Sequence, residues 1–251
     1  MNINIHFQPE VGSTNDWAKE LAAAGAPEGT LAVADRQTAG KGRRGRAWQT
    51  EKGTSIAMSL ILRPEIQPEH ASMLTLVMGL SVAQGITAAT GLETSIKWPN
   101  DVVAQGKKLC GILTEMSAGM DGIHYVVVGT GINVNNTAFP EELSEIATSL
   151  FLELGEVQDK NLVMDAVIDA FTKNYELFFQ HENLKELQNA YDALLINKDK
   201  EVRVLDPKEP FEGVARGITP TGELLVERTK DGQMTAVYAG EVSVRGLYSY
   251  V

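Results

Sequence analysis

One cysteine, Cys110, in 251 residues rules out an internal disulfide and a thiolate metal centre, and agrees with a reducing compartment. Histidine is nearly as scarce. His6, His70, His124 and His181 are scattered without metal-ligand spacing, and neither a G-x-S-x-G elbow nor a G-x-x-x-x-G-K-[ST] loop occurs; a zinc site, a hydrolase triad and a P-loop nucleotide site are therefore not expected. No apolar run approaches the length needed to cross a bilayer, and MNINIHFQPE lacks the basic and apolar parts of a signal peptide, so no membrane partner and a cytoplasmic location are expected. Basic residues are outnumbered 22 to 33, for a formal net charge of −11. Without a broad basic face, general nucleic-acid affinity is not expected either. The 43% apolar content over 251 residues supports a full core, read as one large domain with a small appendage.

What basic charge exists is concentrated. Asp35 to Trp48, DRQTAGKGRRGRAW, packs Lys41, Arg43, Arg44 and Arg46 among Gly40, Gly42 and Gly45. Glycines let backbone approach a ligand closely, and guanidinium forks pair with carboxylate or phosphate oxygens. An anion site is implied, with mutual repulsion keeping the empty loop mobile until ligand arrives. The three glycines also satisfy G-x-G-x-x-G, the dinucleotide fingerprint, but that fingerprint requires a helix to open at the loop. TLAVAD before it and TSIAMSLIL after it both read as strands, which argues against a Rossmann domain.

Ile3, Ile5 and Phe7 alternate with polar residues as in a half-buried strand. A helix follows, with Ser13 or Thr14 as its cap, Trp17 and Leu21 on one face and Gly25 at its end. Pro68 to Ala89 carries the longest helical pattern, stopped by Gly91. Residues 95–135 read as three or four short antiparallel strands turned at WPND, QGKK and GMDG. Helices are expected over Leu143–Leu152, Asn161–His181 and Leu184–Leu195, with Ala166, Val167, Ala170, Tyr175, Leu177 and Phe178 facing the core. From Lys200, five short strands separated by turn signals indicate a small barrel, with a boundary near residue 199.

Four segments together resemble the signature set of biotin protein ligases: GSTN at Gly12–Asn15, AGKGRRGRAW at Ala39–Trp48, KWPNDVVAQGKKLCGIL at Lys97–Leu113 and GTGINVN at Gly129–Asn135. The carboxy-terminal GEVSVRG extends the likeness. The resemblance implies an α+β fold, a mixed and largely antiparallel sheet flanked by helices as in class II aminoacyl-tRNA synthetases, with an SH3-like barrel over 200–251 behind a catalytic domain of 1–199. It implies ATP-dependent conversion of biotin to biotinyl-5'-adenylate, then transfer to a lysine of an acceptor such as the biotin carboxyl carrier protein. A charge-neutralising site without a nucleophile suits that first step, which joins two anions.

By the same resemblance, Arg43 bridges the biotin carboxylate and the phosphate, and Lys108 stands where carboxylate, α-phosphate and bridging oxygen converge. The biotin head falls to Ser13, Thr14, Asn15 and Gln37, helped by backbone at Gly40, Lys41, Gly111 and Gly131, while Trp48 walls the valeryl chain. Arg44, Arg46, Asn100, Asn133 and Arg245 join Arg43, Trp48 and Lys108 around ATP. Asp101 is the candidate magnesium ligand. As bare sequence features, Ser13 and Thr14 are equally a helix cap, Trp48 a core anchor and Asn100–Asp101 a turn. With GSTN starting at residue 12, a ligase without the repressor's DNA-binding domain is expected. The strand around Tyr125 is the candidate sheet edge for a homodimer. A lipoate ligase or octanoyl transferase on the same fold is the nearest competing enzyme, and an R-R-x-S-G-G-G-x-V-x-H stretch is missing.

Overall fold

Two sheets carry the chain in the computed structural model, which describes residues 1–48, 51–206, 209–239, 243–246 and 251. The larger has seven strands: β1 (Asn4–Val11), β2 (Thr30–Gln37), β3 (Ser55–Leu62), β4 (Ser95–Lys97), β5 (Asp101–Ala104), β6 (Lys107–Gly119) and β7 (Gly122–Asn133). Their order is β1-β2-β3-β7-β6-β5-β4. β1 and β2 run parallel, joined through α1 (Thr14–Ala23), and every other neighbouring pair is antiparallel. The α+β, largely antiparallel expectation therefore holds. β6 and β7 run 13 and 12 residues, longer than the short strands expected, because the GMDG turn returns the chain directly along itself.

β3 and β7 are apolar on both faces because both faces are covered. One side packs on α2 (Met73–Thr90) and α5 (Lys160–His181); on the other, Ala18 and Ala22 of α1 meet Ala32, Ile61 and Val127 in a separate small cluster. The helical stretch Pro68–Thr90 corrects one expectation, being long and apolar enough, by length and composition, to cross a membrane. It is instead a core helix, with Leu74, Val77, Met78, Val82 and Ile86 at 0% exposure; a helix apolar all round belongs inside. Gly91, at φ 74°, ends it in the left-handed region.

Other expectations are redrawn by packing. Ile5 and Phe7 alternate as read but are 50% and 56% exposed, since β1 is an edge strand and α1 lies over β2, β3 and β7. Leu177 points outward, at 40% exposure, while Val167, Tyr175 and Phe178 are buried. The helix expected over Leu143–Leu152 is two, α3 (Glu141–Ser144) and α4 (Leu150–Leu154), interrupted where Ala147 bridges to Lys108. Tyr125 is not at a sheet edge: β7 lies between β3 and β6, and Arg63 Nη1 donates to the His124 carbonyl at 2.7 Å.

α6 (Lys185–Leu194) leads to the second sheet, β8 (Glu201–Leu205), β9 (Phe211–Ile218), β10 (Leu224–Arg228), β11 (Met234–Val237) and β12 (Ser243–Gly246), antiparallel in the order β11-β10-β9-β8-β12. All five expected strands are present. Among the described residues no ladder joins β11 to β12. Val202, Val204, Ala215, Ile218, Leu224 and Val226 continue the main core, and the buried Trp98 Nε1 donates to the Gly222 carbonyl at 3.0 Å. Pro207, Lys208, Gly240 to Val242 and Leu247 to Tyr250, which fall in the expected turn and last strand, lie outside the described residues.

Candidate active site

The basic loop connects β2 to β3 as expected, without a following α-helix. It closes on itself: Lys41 bridges Ala47, Gly42 N–H donates to the Arg46 carbonyl at 2.7 Å, and Trp48 N–H donates to the Gly40 carbonyl at 2.8 Å. Arg44 and Gly45 take positive φ of 59° and 71° in its tip, so glycine at 45 removes the strain a side chain would carry there. The four cations diverge. Lys41 pairs with Asp16 of α1 at 2.6 Å, Arg44 and Arg46 are exposed, and Arg43 turns inward.

Arg43 Nη1 donates to Asn100 Oδ1 at 2.9 Å, and its Nη2 reaches the Ala239 carbonyl after β11. Burial, with Arg44 and Arg46 nearby, holds the Arg43 guanidinium below its ordinary value, and Asp101 works against that shift. Asn100 and Asp101 come from WPND, which turns through a cis Trp98–Pro99 bond. A register shift at Val102/Val103 then brings Lys108 back along β5, placing its Nζ 2.7 Å from Asp101 Oδ1 and 5.5 Å from the Trp48 ring centroid.

These groups border a cavity of about 760 Å³, lined also by Lys97, Asn133 and the segment from Asn136 to Ala147. Asn133 is buried and its amide donates to the Thr148 carbonyl at 3.0 Å. Lys97, 7% exposed, is a pocket residue that the sequence marks only as the first position of KWPND. The signal for its role was there in the sequence, a lysine on a short strand before the turn, but its inward orientation depends on pairing between β4 and β5.

Beside it is a smaller pocket of about 50 Å³, lined by Ser13, Thr14, Asn15, Gln37, Lys41, Arg43, Trp48, Lys108, Gly111 and Gly131 among others. Ser13 occupies the N-cap position of α1 without a capping side-chain hydrogen bond. Thr14 instead directs both N–H and hydroxyl to Gln37 Oε1, at 2.8 and 3.0 Å. Trp48 lies flat on β6 and β7: a Cβ at Gly131 would sit 2.5 Å from its indole, and one at Gly111 3.0 Å. Gly40 is similarly close, 2.3 Å from the Trp48 carbonyl for an added Cβ. The structure thus brings the expected residues from Ser13 to Asn133 to the lining of two adjoining pockets, except Gly40, which lines neither and instead backs the Trp48 carbonyl. Arg245 stands opposite Arg203 in β12, and its side chain lies outside the described residues.

Cys110 follows Lys108 by two positions yet is fully buried, and burial pushes its thiol well up. It is a core residue, as expected.

The family model for the biotin/lipoate A/B protein ligase family matches residues 8–133, and that for the biotin protein ligase C-terminal domain matches 199–245. A bifunctional ligase/repressor BirA from Bacillus spizizenii is 43% identical across 97% of this chain and 75% of its own length. The chain belongs to the biotin protein ligase family. A biotin--[acetyl-CoA-carboxylase] ligase from Mycobacterium tuberculosis is 35% identical over 93% of this chain and 86% of its own. Among solved structures, a biotin protein ligase from Aquifex aeolicus, in complex with biotin and ATP, superposes with a TM-score of 0.84 at 31% identity, covering 97% and 99% of the two chains. Family membership explains why the glycine fingerprint sits between strands: its loop belongs to a ligase sheet and not to a Rossmann crossover.

Proposed function

We infer that this biotin protein ligase joins biotin to AMP and passes the biotinyl group to a lysine of a carrier such as the biotin carboxyl carrier protein. The observation that carries the reading is the convergence of Arg43 and Lys108, from segments 65 residues apart, at the junction of a small polar pocket and a large one. The small pocket suits a neutral urea, whose N–H and C=O groups need neutral partners such as Thr14 and Gln37. The large one suits a nucleotide.

In the first step a biotin carboxylate oxygen attacks the α-phosphorus of ATP and pyrophosphate leaves. Both reactants are anions, so Arg43 and Lys108 act by drawing them together and holding charge on the oxygens, with Lys97, Arg44 and Arg46 toward the departing phosphates. No protein nucleophile is required. In the second step the acceptor amine attacks the anhydride carbonyl and AMP leaves, with Asp101 as the carboxylate placed to receive that amine.

Magnesium enters as part of the nucleotide substrate. Among the described residues no cluster of three His, Cys, Asp or Glu side chains forms a metal site, and Asp101 is a single carboxylate already engaged by Lys108. That donor set fits an ion held mainly by phosphates and water. Residues 1–199 bind both substrates, and 200–251 form a second domain that reaches Arg43 through the Ala239 carbonyl.

The test is pyrophosphate exchange into ATP, with biotin, with lipoate and with neither. Exchange that requires biotin and fails with lipoate is expected. Exchange independent of biotin, or supported equally by lipoate, would overturn the reading.

A further inference from the structure

One stretch of the larger cavity's wall begins as a helix and does not continue as one. Leu143 to Leu152 carries a helical pattern, and Ala147 N–H still donates to the Leu143 carbonyl, four residues back, at 2.8 Å. The following bonds of that series are taken over by the start of β6. Thr148 N–H, which a continuous helix would send to the Ser144 carbonyl, donates instead to the Lys108 carbonyl at 2.9 Å. The Ile146 carbonyl, which Leu150 would serve, receives Lys108 N–H at 2.8 Å. The Ser144 carbonyl receives Lys107 Nζ at 3.0 Å.

Two consecutive lysines thus strap this wall to one strand, Lys108 through its backbone and Lys107 through its side chain. Leu143, Ile146 and Ala147, spread along the strapped stretch, all line the larger cavity, whereas Lys107 lines neither cavity. Lys108, next along β6, sends its own side chain to Asp101 at the cavity. The far end is fixed separately, where Asn133 Nδ2 donates to the Thr148 carbonyl. A carbonyl deprived of its helical donor in a part-buried place needs a replacement, and the Lys107 ammonium is that replacement for Ser144.

We propose that Lys107 is a positioning residue for the nucleotide, which touches neither substrate and fixes Leu143, Ile146 and Ala147 relative to Lys108. Without its ammonium, the Ser144 carbonyl competes for Thr148 N–H, the helical bond that the local sequence favours. The bridge between Thr148 and Lys108 then opens more often, and the wall loses its fixed distance from the lysine side chain beside it.

This rests on a nucleotide occupying the larger cavity, as in the function proposed above, and the experiment separates the two. Lys107→Met keeps the alkyl stem and removes the donor; Lys107→Arg keeps a donor for the Ser144 carbonyl. Amide hydrogen exchange is followed in the free enzyme, and biotin-dependent pyrophosphate exchange gives kcat and the KM values for ATP and biotin. In Lys107→Met the Lys108 and Thr148 amides should exchange about fivefold faster, and KM for ATP should rise about fivefold, with kcat and KM for biotin unchanged. Lys107→Arg should restore both quantities. Wild-type amide rates or a wild-type KM for ATP in Lys107→Met, a parallel rise in KM for biotin, or failure of Lys107→Arg to restore them would overturn the proposal. Pyrophosphate exchange that is independent of biotin in the wild type would overturn the function and not the strap, which the amide rates then decide alone.

Discussion

Lys108 Nζ lies 2.7 Å from Asp101 Oδ1 across the β5–β6 hairpin, an ion pair facing the larger cavity. Asp101 thereby holds the lysine where the two pockets adjoin, and on the function proposed above an arriving phosphate would supply a competing anion. Lys108→Ala should lower the rate of adenylate formation on the order of 100 to 1000-fold, the usual effect of removing a preorganised charge partner. Biotin affinity should change far less. Pyrophosphate exchange and calorimetric biotin titration measure the two separately; an unchanged exchange rate would remove Lys108 from the mechanism.

Trp48 requires bare backbone beneath it. Gly131→Ala places a Cβ 2.5 Å from the indole, so the ring must lift from β7. Weaker biotin binding is expected, about tenfold or more if roughly 1.4 kcal/mol of packing is lost, together with a changed tryptophan emission spectrum in the free protein. Wild-type emission and affinity would show that the ring does not depend on this contact.

The Lys41 hydrogen bond, helped by Lys19, holds the Asp16 carboxyl below its usual value of 3.8. A depressed carboxylate stabilises the fold above its unfolded pKa, and that contribution is lost as pH falls through the folded value. Asp16→Asn should therefore flatten the acid limb of a stability–pH curve below about pH 4, leaving the slope between pH 5 and 8 unaltered. Acid titration by circular dichroism measures this.

The two sheets are pinned by the buried Trp98 Nε1–Gly222 carbonyl hydrogen bond. Trp98→Phe strands that carbonyl and also removes buried ring surface, and should cost about 1 to 3 kcal/mol in urea unfolding. A change below about 0.5 kcal/mol would mean that the junction relaxes around the loss.

Much of the fold was legible because its signals are local. Glycine and proline turns punctuate residues 95–135, Gly91 stops the core helix, and strand patterns on both sides of the basic loop exclude the dinucleotide reading. Periodicity failed where burial depends on distant partners. Ile5 and Phe7 alternate correctly on a strand whose flank nothing covers, and Leu177 has core-like character on a helix face turned to solvent. The break at Ala147 likewise arises from a bridge to Lys108, 39 residues earlier.

The sequence by itself determined the order of elements, the concentration of cations among glycines and the motif set that marks a biotin protein ligase, since each is written in neighbouring residues. Only the tertiary structure decided which charges meet. Arg43 reaches Asn100, Lys108 reaches Asp101, and Glu115 orients Asn15 across 100 positions. Strand register sets those pairings, and register is a property of the whole sheet: sliding β6 by one residue would turn Lys108 and Glu115 to its opposite face.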